Sequence, residues 1–142
     1  MIVRCNATRL DETYRRRVGG DPKLHTDFQL TIGKEYIVLG ITFVVQSPIC
    51  GSGILFDIED DFGFCFSTPV QLFDIVDPRP SAYWMARRFG DDDLALWPEE
   101  FYRPSFHDRL SDGQQEEGIA FRDLVSRLTA ESTLVSAAPV PE

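Results

Sequence analysis

Four carboxylates fall within five positions, Asp57, Glu59, Asp60 and Asp61, in the stretch GILFDIEDDFGF (Gly53–Phe64). Oxygens at that density could hold calcium, and a carboxyl pair could serve as general acid and base. A calcium loop of the EF-hand type needs oxygen ligands at positions 1, 3 and 5, glycine at 6 and glutamate at 12. Counted from Asp57, positions 3 and 5 are Glu59 and Asp61, but position 6 is Phe62 and position 12 is Thr68. The calcium pattern fails at both diagnostic places. Asp61–Gly63 spells DFG, the metal-binding triplet of protein kinases, without the glycine-rich loop, the HRD triplet or the length of a kinase. Glycosidase chemistry needs two carboxyls flanking a substrate, whereas neighbours in a tight turn point apart and into water. Asp60 and Asp61 are therefore expected to be exposed turn residues of a β-hairpin.

Cys5, Cys50 and Cys65 are widely spaced and form no CxxC pair, as expected of free thiols in a reducing compartment. With His25 and His107 as the only histidines, the ligand spacing of a zinc site is missing, and neither metal nor cofactor is expected. Cys65 lies between Phe64 and Phe66, where a small apolar residue packing in a strand is the simplest role. A small hydrolase using Asp60, Asp61 or His107 has the least support, because no nucleophile, base and orienting group stand at a recognisable spacing.

The chain carries 14 basic and 23 acidic residues, a formal net charge of −9. Residues 1–23 have six basic against three acidic groups, and residues 24–142 eight against twenty, so the acidity belongs to the body of the domain. Such a surface repels phosphate backbones and attracts a basic protein. Nucleic acid is not an expected partner. No apolar run approaches the roughly 18–20 residues of a membrane span, and MIVRCNATRLDETYRRR lacks the apolar core of a signal peptide. The expected compartment is the cytoplasm.

The elements that must position these groups are legible in the periodicity. FQLTIGKEYIVLGITFVVQ (Phe28–Gln46) is the strongest strand signal, with Ile37, Leu39, Ile41, Phe43 and Val45 on one face and Gly40 marking a bulge or kink. Ser47–Gly53 reads as a loop. Ile54–Glu59 is a strand with Ile54, Phe56 and Ile58 on one face and the wetter set Leu55, Asp57 and Glu59 on the other, and extended structure resumes at Phe64. Another strand runs from Val70 to the prolines Pro78 and Pro80. The segment from Ser81 to Phe106 is ambiguous, except that Pro98 suits the first turn of a short helix through Phe101. Asp112 and Gln115 have capping-box spacing, and Phe121, Leu124, Val125 and Leu128 follow at helical intervals.

One α+β domain is expected over 1–142: a strongly bent antiparallel sheet of about five or six strands, with a C-terminal amphipathic helix packed on it. Its compact core spans about 28–130, with an exposed loop at 11–27 and a mobile tail at 132–142. LTIGKEYIVLGI, ILFDIEDDFGFCFSTPVQLFDIVDPRPSAYW, LWPEEFY and FHDRLSDG, followed by the helix, resemble small, mostly uncharacterised bacterial proteins, some of them immunity proteins of polymorphic toxin systems. The resemblance covers about Phe28–Leu128. It implies an SH3-like curled half-barrel and inhibition by binding, without catalysis, of a basic toxin such as a nuclease. The candidate partner-binding residues are Asp91, Asp92, Asp93, Glu99 and Glu100 as an acidic patch, with Tyr83 and Trp84 as aromatic anchors. In a domain this small, tryptophans more often close the core. The alternative is an SH3-like adaptor that takes a peptide or another subunit in an aromatic groove of Tyr36, Tyr83, Trp84 and Tyr102.

Overall fold

The alternation across Phe28–Gln46 is realised as two strands in different sheets. The protein is described by a computed structural model covering residues 1–17, 27–47 and 51–136. Its strands are β1 (Ile2–Cys5), β2 (Glu35–Ile37), β3 (Gly40–Ser47), β4 (Gly51–Glu59), β5 (Cys65–Pro69), β6 (Phe73–Asp77), β7 (Met85–Phe89) and β8 (Asp93–Trp97). The helices are α1 (Glu12–Arg17), α2 (Phe106–Ser111) and α3 (Gln115–Ser136), with single 3-10 turns at Val70–Leu72 and Glu99–Tyr102. The strands form two antiparallel sheets, ordered β2-β1-β6 and β5-β4-β3-β8-β7. The α+β class stands, but two sheets replace the single one expected, and the described strands close no barrel.

Val38 and Leu39 carry the chain from the first sheet to the second. Tyr36 and Val38 face one core cluster with Val3, Phe56, Ile58 and Phe73, whereas Leu39 faces another with Phe101, Phe106, Phe121, Leu124 and Leu128. After Gly40 the parity reverses, and Ile41 and Phe43 join the first cluster. The expected single face of Ile37, Leu39, Ile41 and Phe43 is thus divided. Strand alternation holds only while a strand stays in one sheet.

The reason for glycine at this crossing is local. Gly40 pairs with Asp57 in β4, and a Cβ added there would lie 2.7 Å from Trp97 Cδ1 and 3.2 Å from Asp57 Oδ2. Only a residue without a side chain lets the indole lie over that carboxylate.

The expected hairpin around Asp60 is present, with Glu59 paired to Cys65 and Ile58 to Phe66. The ambiguous stretch after Ser81 contains a second hairpin, β7–β8, turning at Gly90 with φ +61°. Asp112 closes α2 instead of opening α3, and Gly113, at φ +76°, redirects the chain between the two helices. Phe121, Leu124 and Leu128 form the buried stripe of α3 as the spacing predicts. That helix continues through Ser136, so the start of the expected mobile tail is helical; residues 137–142 lie outside the described residues. Likewise, α1 occupies 12–17 of the expected loop, and 18–26 lie outside them, as do His25 and Cys50. Near the other end, β1 sits in the middle of the three-stranded sheet with Val3 and Cys5 buried, which extends the core to the N-terminus.

Candidate functional site

The tip of the β4–β5 hairpin is held rigidly. Asp60 Oδ1 accepts the backbone N–H groups of Phe62 and Phe64, each at 3.0 Å, and Gly63 takes the left-handed conformation at φ +84°. Asp61 ties the tip to the turn before β2. Its Oδ1 accepts from Lys34 Nζ and the Tyr36 hydroxyl, both at 2.7 Å, and its Oδ2 from Thr31 Oγ1 at 2.6 Å. These donors, Lys34 foremost, hold the Asp61 carboxyl at about 2, well below the usual carboxylate range. Asp60 and Asp61 are therefore turn residues, but their oxygens are engaged by the fold and do not simply point into water.

Fixing the tip this way presents aromatic side chains outward. Phe62, Phe64 and Phe66 retain 68%, 58% and 41% of their accessible surface, although burial of each would be favourable by a few kcal/mol. With Phe28 they border an open groove of about 420 Å³ whose rim includes Asp27 and Asp60. Phe28 anchors the floor through an edge-to-face contact with Phe66, centroids 5.8 Å apart. The strand beside this groove, β5, is an outer strand of the five-stranded sheet. Contiguous exposed aromatics at a sheet edge are the usual mark of a protein contact surface.

The sequence-derived candidates are dispersed. Asp91 and Asp92 are exposed at the β7–β8 turn, and the Asp91 carbonyl accepts from Arg88. Asp93 opens β8 and its Oδ1 accepts the Val45 N–H at 3.0 Å, so that carboxylate holds two strands together. Glu99 and Glu100 follow the opposite end of β8, about 13 Å of strand away at roughly 3.3 Å per residue. Glu100 is paired with Arg127 of α3, whose guanidinium also lies 5.0 Å from the Tyr83 ring centre. Tyr83 and Glu100 are thus brought together around Arg127. Trp84 donates its indole N–H to the Leu39 carbonyl at 2.9 Å and packs on the first core cluster.

The four-aromatic groove does not assemble either. Tyr36 is buried and bonded to Asp61, while Tyr102 sits with Phe89 and Trp97 on the second hairpin. Nor do the hydrolase candidates meet: Asp60 and Asp61 serve the hairpin tip, whereas His107 packs against Trp97, Phe101 and Phe106. The described part of the chain has no group of three or more His, Cys, Asp or Glu residues arranged to hold a metal.

Sequence reasoning missed a buried carboxylate. Asp57 is 1% exposed; its Oδ1 accepts from Ser67 Oγ, and its Oδ2 from Thr42 Oγ1 at 3.0 Å and Trp97 Nε1 at 2.9 Å. Burial raises its carboxyl above the ordinary range against the pull of these donors and of nearby His107. Burial in turn lowers the His107 imidazole. On the face of β4 assigned to the wetter set, Trp97 covers Asp57, while Glu59 stays half-buried and paired with Arg122. A hint lay in Thr42 and Ser67, hydroxyl residues on the two strands flanking β4. Cys65, between the exposed phenylalanines, has its thiol raised by burial and by the charges of Asp57, Glu59 and Asp60, which disfavours a reactive thiolate.

Comparison of the chain with protein-family models, curated proteins and solved structures finds no match. No helix among the described residues is long and apolar enough to cross a membrane.

Proposed function

We propose that this chain is a non-catalytic, cytoplasmic binding protein that occludes a basic protein partner, in the manner of an immunity protein facing a nuclease-type toxin. The β4–β5 hairpin groove is the centre of its docking face. The observation that carries this reading is the exposure of Phe62, Phe64 and Phe66 around one groove on a braced hairpin. Rigid aromatic anchors lose little entropy on binding and dominate the energetics of protein interfaces. A basic partner is favoured over a neutral one because Asp27 and Asp60 flank the aromatics and the chain carries −9 overall. Asp91 and Asp92, exposed at the other hairpin, act at longer range by steering the encounter. The SH3-like half-barrel expected from the sequence belongs to the same proposal, supported by the passage of one chain through two small antiparallel sheets with an open outer strand.

The test is co-expression with a basic toxin domain, where one is encoded beside this chain, together with binding kinetics of the purified pair. Replacing both Phe62 and Phe64 with serine is expected to abolish protection and to raise the dissociation rate at least about tenfold, equivalent to about 1.4 kcal/mol. The circular dichroism spectrum should stay unchanged, because both side chains are exposed. Full protection by the double variant would remove the groove from the interface. Failure of the wild-type chain to protect would end the immunity proposal.

A further inference from the structure

Seven described arginines form ion pairs with carboxylates, as expected in a chain with excess acid. Arg87, Arg88 and Arg103 are in no such pair, and all three line one cleft of about 440 Å³ between the β7–β8 hairpin and α2. Arg87 and Arg103 bring two guanidinium groups to one cleft of a molecule of net charge −9, with Arg88 turned to the other face of β7, and make a local reversal of sign. Charges beyond about 10 Å are largely screened at 0.1 M salt, so an anion entering the cleft responds to these arginines more than to the distant acids. Two carboxylates oppose them: Asp108, which lines the cleft without an ion pair to any of the three, and Glu117, which is paired with Arg109 and also acts on Arg103.

The remaining walls are flat rings. Phe89, Trp97 and Tyr102 pack together, Phe89 stacked on Tyr102 with centroids 6.3 Å apart at 27° and Trp97 tilted against Tyr102 at 38°, centroids 5.2 Å apart. The Arg87 guanidinium lies over Tyr102, 4.4 Å from the ring centre, which leaves its edge available for planar hydrogen bonding. His107 completes the wall beside Trp97, centroids 5.1 Å apart. Guanidinium forks suit phosphate, aromatic faces suit a stacked base, and the cavity has the size of ordinary small-ligand sites.

We infer that this cleft binds a nucleoside monophosphate, its base against the Phe89–Trp97–Tyr102 wall and its phosphate held by Arg87 and Arg103. Arg88, which also donates to the Asp91 carbonyl at 2.8 Å, contributes charge at the hairpin end. Binding a single nucleotide is compatible with poor binding of polynucleotides, because a phosphate backbone would also have to run across the acidic body of the domain. This site is separate from the hairpin groove and does not depend on the proposed inhibitor role.

The experiment is titration of the whole chain with AMP, UMP, adenosine and inorganic phosphate, followed by calorimetry and by the two indole N–H signals in amide-type nuclear magnetic resonance spectra. Trp84, bonded to the Leu39 carbonyl and outside the cleft lining, is the internal reference. AMP is expected to shift the Trp97 signal and leave Trp84 in place. It should bind at least about tenfold more tightly than adenosine or phosphate alone. R87Q and R103Q should each weaken AMP binding about tenfold, with R4Q, remote from the cleft and ion-paired to Glu35, as a neutral control. The inference fails if neither nucleotide moves the Trp97 signal at millimolar concentration, or if phosphate alone binds as well as AMP. It also fails if R4Q weakens AMP binding as much as R87Q, or if an acidic tyrosine peptide occupies the cleft while AMP does not.

Discussion

Two aspartates four positions apart show how environment, rather than residue type, decides what a carboxylate does. Asp61 gathers three donors at the surface and is held at about 2, so the stabilisation it gives is complete above about pH 4 and fades as the pH falls toward 2. Asp57 runs the other way. Burial raises it, so any stability it contributes is greatest below the ordinary carboxylate range and declines as the pH rises through its folded-state value. Thermal melts of Asp61→Asn are expected to show a shallower loss of Tm than wild type between pH 4 and pH 2. A parallel decline in the two proteins would mean that Lys34, Thr31 and Tyr36 give Asp61 no preferential hold on its charged form.

Among the elements, the crossing at Gly40 and the helix α3 carry the most specific mechanical demands. Gly40→Ala must place a methyl group 2.7 Å from Trp97 Cδ1, and is expected to cost about 1–3 kcal/mol, the usual penalty of overpacking. A melt indistinguishable from wild type would show that the indole has room to retreat. Phe121→Ala removes a ring 2% exposed in the second core cluster and should cost about 3–5 kcal/mol in urea unfolding. Both sites were legible in part. The spacing of Phe121, Leu124 and Leu128 announces the helix because one stripe meets one core, and glycine amid β-branched residues announces an irregularity. The exchange of faces at Leu39 was not legible, since periodicity reports alternation and not which sheet receives a side chain. The β7–β8 hairpin was hidden for a related reason: all five residues of β7 are exposed, so MARRF has no buried face to imprint a pattern. The same absence concealed the arginine cleft, whose walls come from β7, β8, the 3-10 turn and α2. The phenylalanines of the candidate groove stood in plain view as FGFCF, but an apolar run does not say which of its residues stay exposed. Their exposure depends on β5 lying at the margin of its sheet.

At the scale of the whole molecule, charge and contact surface are separable. Asp91 and Asp92 are exposed and remote from the hairpin tip along the chain, whereas Asp93 holds the Val45 N–H. Asp91→Asn with Asp92→Asn is therefore expected to slow association with a basic partner and to flatten its salt dependence, leaving dissociation nearly unchanged. An association rate identical to wild type at low salt would assign the acidity to something other than steering. Asp93→Asn belongs in a stability experiment instead.

The central position of β1 in its sheet has a consequence for biosynthesis. Val3 pairs with Tyr36 on one side and Ile75 on the other, so β1 meets its second neighbour only after about 70 further residues have been made. Pairings this distant in sequence close late and slowly. Until β6 arrives, β1 presents an incomplete β-ladder to every other chain in its surroundings, and chaperone capture at that stage is the natural safeguard.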